Sequence, residues 1–598
     1  MYLSRPGGTS YRPTRRLSLP LGAVAALLAG MAGGMAGAAL PGGGAGAQAT
    51  PTSMSVVADP ANVLAVVPPT AIGLNASTYD ANLTDPAVPG LLRNAGISLM
   101  RFPGGTESDQ YNWKTNTDVL SNATEAANFD QFMSVVRKAG AQAMVTVNYG
   151  TGDTIGQSET PTETGAQVAA DWVYYANVLH HYNVRYWEIG NEVYGNGTYG
   201  ADWEPDDHCQ VSSTGGLPFR PNTGATFSPE TPGTGQAPTY NCGPAVYAAN
   251  ALEYIDAMKA VDPDITVGIV LTAPNNWPDD NDIGYICGSG STEVSDCYWD
   301  ATVLKDLSGH IGFADIHWYP QNPSNVTAYS NPPLTNGGPG NPPTDAGLLA
   351  STSNIAGMVA TLRQRFAQYG DGDIPIMVTE TNSVSSNPGK QTVSIVNALY
   401  LEQDYLTWLE NGVANVDWWQ LHNGIVTTGD NGPADNASQD PSAPPLYGEA
   451  LYGDYGVLSN GSCGSTPSYA TPADNKVCEP PADTPFPAYY GLEMLSRFIR
   501  PGDALLGTTS SQGLVQAYAE RGPGRQLRVM LVNDDPSDSY AVNLSVPGYV
   551  PRPGSSVLSY GATSSSPSSS RLGPGPLVVQ PYSVTVVALQ PMGPQPDN

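Results

Sequence analysis

Two kinds of hydrophobic pattern alternate along the chain. Short, largely apolar runs occur as AIGLN (71–75), SLMRF (98–102), AMVTVN (143–148), VRYWEIG (184–190), ITVGIVL (265–271), FADIHWY (313–319), IPIMVTE (374–380) and VDWWQL (416–421). Between them lie longer segments with apolar residues at helical spacing, such as ETGAQVAADWVYYANVLHHY, VYAANALEYIDAMKAV, GMVATLRQRFAQY and SIVNALYLEQDYLTWL. Strand and helix in alternation predict a parallel sheet covered by helices, and eight repeats predict closure into a (β/α)8 TIM barrel, an α/β fold. An open doubly wound sheet is the alternative. It would favour a glycine-rich nucleotide loop after the first strand, where the chain has GLNASTYD.

The pattern changes after the eighth run. A Gly/Asn/Pro/Ser-rich excursion extends to about residue 484 and leads into the helical YYGLEMLSRFI. LVQAYAE, QLRVMLVN, AVNLSV and YSVTVVAL follow, separated by Gly, Pro and Ser clusters, and read as the antiparallel strands of a C-terminal β-sandwich. An early strand, MSVVADPANVLAVV, precedes the barrel and is expected to pair into that sandwich. The expected division is a signal peptide at 1–47, an N-terminal strand at 48–65, a catalytic barrel at 66–484 and the sandwich at 485–598.

Composition narrows the partners. With 24 basic against 54 acidic side chains the net charge is −30, which repels nucleic acid and anionic membrane surfaces. Arg15 and Arg16 precede a long Ala/Gly/Leu stretch and a small-residue AGAQ at 45–48, the pattern of a twin-arginine export signal. The protein is therefore expected to be secreted, with no membrane segment after cleavage. Six cysteines suit an oxidising compartment, and proximity pairs Cys209 with Cys242, Cys287 with Cys297, and Cys463 with Cys478. No CxxC spacing points to structural zinc, and PDDND at 278–282 reads as a solvated loop rather than a calcium site.

Candidate chemistry gathers at the strand ends, where barrel enzymes build their sites. Asn75, Arg101, Asn148, Asn191, Glu192, His317, Tyr319, Glu380, Trp419 and Gln420 all fall there. Side-chain alternation in YWEIGNE leaves Glu188 inside the fourth strand, in a structural role, and carries Glu192 past its end. Glu380 closes the seventh. Two carboxylates facing one another across a barrel mouth suit glycoside hydrolysis: one protonates the leaving oxygen while the other attacks the anomeric carbon or activates water. Asn191 can bond a sugar hydroxyl next to the reacting carbon. His317 is read as a hydrogen-bonded supporting residue rather than a metal ligand, and one of Trp418 and Trp419 as core, the other as a sugar platform.

WEIGNE on strand four, VTETNS on strand seven, RFPGG with YNW after strand two, and HWYP on strand six together resemble a clan A retaining glycoside hydrolase. The closest likeness is to α-L-arabinofuranosidases of the family 51 type. That resemblance implies Glu192 as general acid/base and Glu380 as nucleophile, with Arg101 and Tyr319 orienting Glu380. It implies Asn191 on the 2-hydroxyl and Trp419 and Gln420 lining the subsite of the cleaved sugar. The implied activity is exo-removal of α-L-arabinofuranosyl units from polysaccharides or oligosaccharides by double displacement, without cofactor or metal. The loop at 196–240, after Glu192, is placed to wall off one end of the cleft. Two departures concern the sugar: Asn75 stands where the family usually has a glutamate, and TETNS lacks the tryptophan often found after the nucleophile. A β-D-galactofuranosidase, β-xylosidase or β-glucuronidase is the alternative within the class. A non-catalytic carbohydrate-binding protein is the rival outside it.

Overall fold

The computed structural model describes residues 50–196, 203–208, 210–211, 240–241, 243–274, 299–321, 345–427, 452–465, 476–552 and 554–591. Eight parallel strands close a barrel in chain order: Ile72–Asn75, Leu99–Phe102, Gln142–Val147, Tyr186–Ile189, Thr266–Val270, Phe313–Trp318, Ile376–Thr381 and Asn415–Trp418. The eighth pairs with the first, Trp418 opposite Leu74. These are the eight apolar runs of the sequence. Helices cover the outside and side chains fill the inside, so the strands are buried on both faces and can be nearly all apolar. Local sequence punctuates the helices between them. Phe129–Ala139 starts from an Asn128/Gln131 capping box and stops at Gly140, and Gly165–Val173 starts from a Thr164/Gln167 box.

Inside the barrel, Leu99, Met144, Phe313 and Met377 form an apolar cluster drawn mainly from the first halves of their strands. The even-numbered strands then contribute Arg101, Glu188, Asp315 and Asp417, all fully buried. A charged layer thus lies directly under the rim that carries the candidate site.

The second unit is a nine-stranded sheet. Its order is Ser568–Arg571, Ser556–Gly561, Ser583–Leu589, Leu527–Asn533, Val515–Arg521, Ala504–Ser510, Thr52–Val66, Tyr540–Ser545 and Leu577–Val579. Every pairing is antiparallel except that of Thr52–Val66 with Tyr540–Ser545. The N-terminal strand is therefore an interior member of this sheet. Alternation divides its residues between two cores. Val529, Leu531 and Val587 join Met54, Val56 and Leu506 in the sheet's own core, whereas Met530, Val532 and Val586 pack into the barrel's.

Cys463 and Cys478 are disulfide-bonded across a short hairpin. The other two expected pairs, the PDDND segment and most of the 196–240 loop lie outside the described residues. Among the described residues no helix is long and apolar enough to cross a membrane.

The seam between barrel and sheet is acidic. Helix Ile395–Glu410 carries Glu402, whose two carboxyl oxygens are buried without a hydrogen-bond partner, and Gln403, whose amide donates to Asp534 at 2.8 Å. Burial pushes Glu402 well above the ordinary range and Glu410 up to about 8. Burial also outweighs the Gln403 hydrogen bond at Asp534, which rises to about 8. These groups hold protons in the folded chain that they lose when it unfolds above about pH 4. Their contribution to stability is complete below that pH and is lost as pH rises through about 8. Glu188, at about 2, acts oppositely, but only below the ordinary carboxylate range. A thermal melt series from pH 5 to pH 9 is expected to show Tm falling steadily; a Tm that rises over this interval would contradict the assignment.

Candidate active site

The site is assembled around one guanidinium. Arg101, at the end of strand two and fully buried, has five N–H donors and spends them all. Nε and Nη2 grip Glu188 at 2.6 and 3.1 Å, Nη1 reaches Glu380 Oε1 at 2.8 Å and Asn75 Oδ1 at 3.0 Å, and Nη2 also reaches Asn191 Oδ1 at 2.9 Å. Burial works to raise Glu188, but Arg101 outweighs it and brings the carboxyl down to about 2. The other oxygen of Glu380 accepts from the Tyr319 hydroxyl at 2.8 Å. Glu380 is thus held at both oxygens by residues from strands two and six.

Glu192 is placed by the turn that ends strand four. Gly190 and Glu192 both adopt positive φ, 75° and 39°, swinging the carboxyl back over the rim. Asp109, in the turn after strand two, fixes that backbone: it accepts from Asn191 N–H, Tyr149 N–H and Gly150 N–H, each at 2.9 Å. Burial raises Asp109 to about 7 against the pull of these donors. Glu192 Oε1 receives Tyr194 Oη and His317 Nδ1, both at 3.1 Å, and Oε2 receives Trp203 Nε1 at 3.0 Å. Burial favours a raised Glu192 carboxyl, yet His317, with Tyr194, holds it below the ordinary range.

His317 joins the two carboxyls. Its Nδ1 also lies 3.5 Å from Glu380 Oε2, and one oxygen of Glu192 lies within 4.8 Å of one of Glu380. Glu192, His317 and Glu380 have the mutual spacing of metal ligands, as do Glu188, Asp315 and His317. In the first group every carboxyl oxygen already faces an N–H or O–H donor, and in the second Arg101 supplies the positive charge. The first group presents no bare oxygen to a cation, and the second, where Asp315 Oδ2 has no hydrogen-bond partner, already has its positive charge in Arg101.

Three amides among the rim candidates are hydrogen-bonded to the scaffold. Asn75 donates to Thr379 O at 2.9 Å and accepts from Arg101, below the rim. Asn148 donates to Tyr111 O and Thr151 Oγ1 and accepts from Thr151 N–H, at 3.1, 2.9 and 2.7 Å. Gln420 accepts from Ser77 Oγ and donates to Tyr79 Oη at 2.5 Å and Asn423 Oδ1 at 2.7 Å. Both ends of each amide are bonded to protein, which ties the rim to the scaffold. Asn191 differs: beyond Arg101 it donates to Glu204 Oε1 at 2.8 Å and keeps a second amide hydrogen. Trp418 is core, and Trp419 packs with Tyr319, Val384 and Tyr455, its indole N–H without a protein partner.

Asp109, Tyr194, Trp203 and Glu204 were not foreseen. The signal for the last two was an acidic and aromatic cluster, DWEPDDH at 202–208, in an otherwise Gly/Ser/Thr/Pro-rich loop.

No family model matches the chain, and no curated protein matches it. Solved structures do. The arabinose complex of an α-L-arabinofuranosidase from Thermotoga maritima superposes with a TM-score of 0.58 at 15% identity, over 90% of this chain and 99% of that one. A family 51 arabinofuranosidase from Xanthomonas axonopodis pv. citri gives 0.54 at 14% identity, over 90% and 100%. A family 44 xyloglucanase from Paenibacillus polymyxa, solved with xyloglucan, gives 0.56 at 11% identity, over 91% and 100%. The likeness spans both units and is one of fold.

Proposed function

We propose that the protein is a secreted retaining glycosidase that removes α-L-arabinofuranosyl residues from polysaccharides or oligosaccharides. The observation that carries the reaction type is the Glu192/Glu380 pair, on strands four and seven with carboxyl oxygens within 4.8 Å. Retaining glycosidases hold their two carboxyl groups about 5 to 5.5 Å apart, whereas inverting ones need roughly 6.5 to 9.5 Å to admit a water. The arabinofuranosyl assignment rests on the motifs WEIGNE and VTETNS, and fold neighbours that are arabinofuranosidases agree with it. Export rests on the Arg15-Arg16 leader and is consistent with the Cys463–Cys478 disulfide.

In the first step Glu380 Oε attacks the anomeric carbon as its bond to the leaving oxygen breaks. Glu192 passes to the departing oxygen the proton held in its 3.1 Å hydrogen bond with His317 Nδ1. Developing positive charge at the anomeric carbon is met by Glu380 itself, while Arg101 and Tyr319 fix the attacking group in place. In the second step Glu192 takes a proton from water, the hydroxide oxygen displaces Glu380 from the sugar, and the proton restores the hydrogen bond between Glu192 and His317. The cycle consumes one water and needs no cofactor.

Asn75, committed to Arg101 and Thr379 O where an acidic sugar-reading residue is usual, favours a second reading within the class: a glycosidase for another sugar. Hydrolysis of p-nitrophenyl α-L-arabinofuranoside, β-D-galactofuranoside, β-D-xylopyranoside and β-D-glucuronide separates the two. Release from the arabinofuranoside is expected. Release from another member alone would replace the sugar and keep the mechanism, and silence across the panel would sink the exo-glycosidase reading.

A further inference from the structure

The cluster DWEPDDH interrupts the loop that follows Glu192, and residues 203–208 lie as a strap over the rim. Both ends are tied down: Glu204 N–H donates to Gly195 O at 3.2 Å, and Asp207 N–H to Gly150 O at 2.8 Å. Both approaches require glycine. A Cβ on Gly150 would sit 2.4 Å from the Pro205 carbonyl oxygen, and one on Gly195 2.5 Å from the Trp203 indole. The strap delivers two side chains to the site, Trp203 to Glu192 and Glu204 to Asn191.

Glu204 is the third carboxyl at this rim. It is 1% exposed, and its Oε1 accepts from Asn191 Nδ2 and from Thr106 Oγ1, both at 2.8 Å. Its Oε2 is buried with no hydrogen-bond partner. Burial, reinforced by the Asp109 carboxyl, pushes Glu204 well above the ordinary range. The contact with Asn191 also has a directional consequence. A carboxamide fits either way round, but Arg101 Nη2 demands oxygen on one side and Glu204 Oε1 demands N–H on the other. Between them they fix the amide and aim its remaining N–H away from both. The side of the rim under Asn75 is closed, since that amide is bonded to protein throughout.

We propose that Glu204 is a specificity-determining residue of the cleaved-sugar subsite, acting through Asn191: it fixes that amide so that its remaining N–H meets the hydroxyl beside the reacting carbon. The substrate class is then glycosides with that hydroxyl free. This rests on the glycosidase reading above.

The test is a cycle of two substrates and two variants, each variant first checked for folding by circular dichroism. The probes are p-nitrophenyl α-L-arabinofuranoside and its 2-deoxy counterpart, or the corresponding pair for whichever panel sugar the enzyme accepts. Glu204→Ala is expected to lower kcat/KM about 30-fold on the hydroxylated substrate and less than about threefold on the deoxy one. Glu204→Gln keeps an acceptor for Asn191 and Thr106 and an N–H in place of the free oxygen, and is expected to stay within about fivefold of wild type on both. Should the alanine variant fail to fold, Glu204→Met fills the space without a polar atom and takes its place. Equal losses on the two substrates would mean a purely structural role, and a glutamine variant as poor as alanine would mean the carboxyl is needed for something else; either overturns this inference alone. A wild type silent on the whole panel overturns the glycosidase reading and this inference with it.

Discussion

Replacing Glu380 with glutamine is expected to lower kcat by about 10⁴-fold or more while leaving substrate binding nearly unchanged. The amide has the carboxylate's shape, and its oxygen can still accept from Arg101, which now reaches Glu380 Oε1 at 2.8 Å. What it lacks is an oxygen able to form a glycosyl ester. The fold should survive, because Arg101 keeps its two contacts to Glu188 and those to Asn75 and Asn191. Steady-state kinetics with calorimetric binding of a substrate or product sugar separates the two effects. A glutamine variant that turns over within tenfold of wild type would remove Glu380 from the nucleophile role. One that neither binds nor folds would be tested again with Glu380→Asp, which keeps the charge but withdraws it from the anomeric carbon.

Glu192→Ala should show a different signature, dependent on the leaving group. A general acid contributes about 10² to 10⁴-fold, and p-nitrophenolate departs with little help from one. The first step is therefore spared on the activated glycoside, while the second, which needs Glu192 as base, becomes limiting. A burst of p-nitrophenol followed by slow turnover is expected, and added azide, which needs no base, should restore the steady rate and yield a glycosyl azide. On an unactivated disaccharide the full loss should remain. Equal losses on both substrates with no effect of azide would contradict the acid/base role.

His317 links these two variants. Its Nδ1 lies between Glu192 and Glu380, at 3.1 and 3.5 Å, so changing either carboxyl also changes the partner of the imidazole. Effects of the two substitutions are therefore not expected to add.

The barrel was legible because parallel strands buried on both faces are marked by continuous apolar runs. Glu192 and Glu380 were legible because strand periodicity and barrel geometry together place a residue at one rim. What periodicity does not reveal is which neighbour takes a side chain's hydrogen bonds. Asn75 stands at a strand end, and its partner Thr379 O is 304 residues away in the chain. Asn148 and Gln420 are alike: each amide near a strand end was placed by position, while its donors go to loop residues that no periodicity pairs with it. Trp203 and Glu204 were hidden for another reason. They reach the rim only because a strap packs on Gly150 and Gly195, and no local pattern announces that contact.

The central claim is that Glu192 and Glu380 act as a retaining pair, and the anomeric configuration of the first-formed product tests it most directly. Proton NMR should be recorded during the first minutes of hydrolysis of whichever panel glycoside is cleaved, before mutarotation blurs the signal. Carboxyl oxygens within 4.8 Å predict a product with the configuration of the substrate, the net result of two displacements at the anomeric carbon. A first-formed product of opposite configuration would mean a single displacement by water, and would contradict the account.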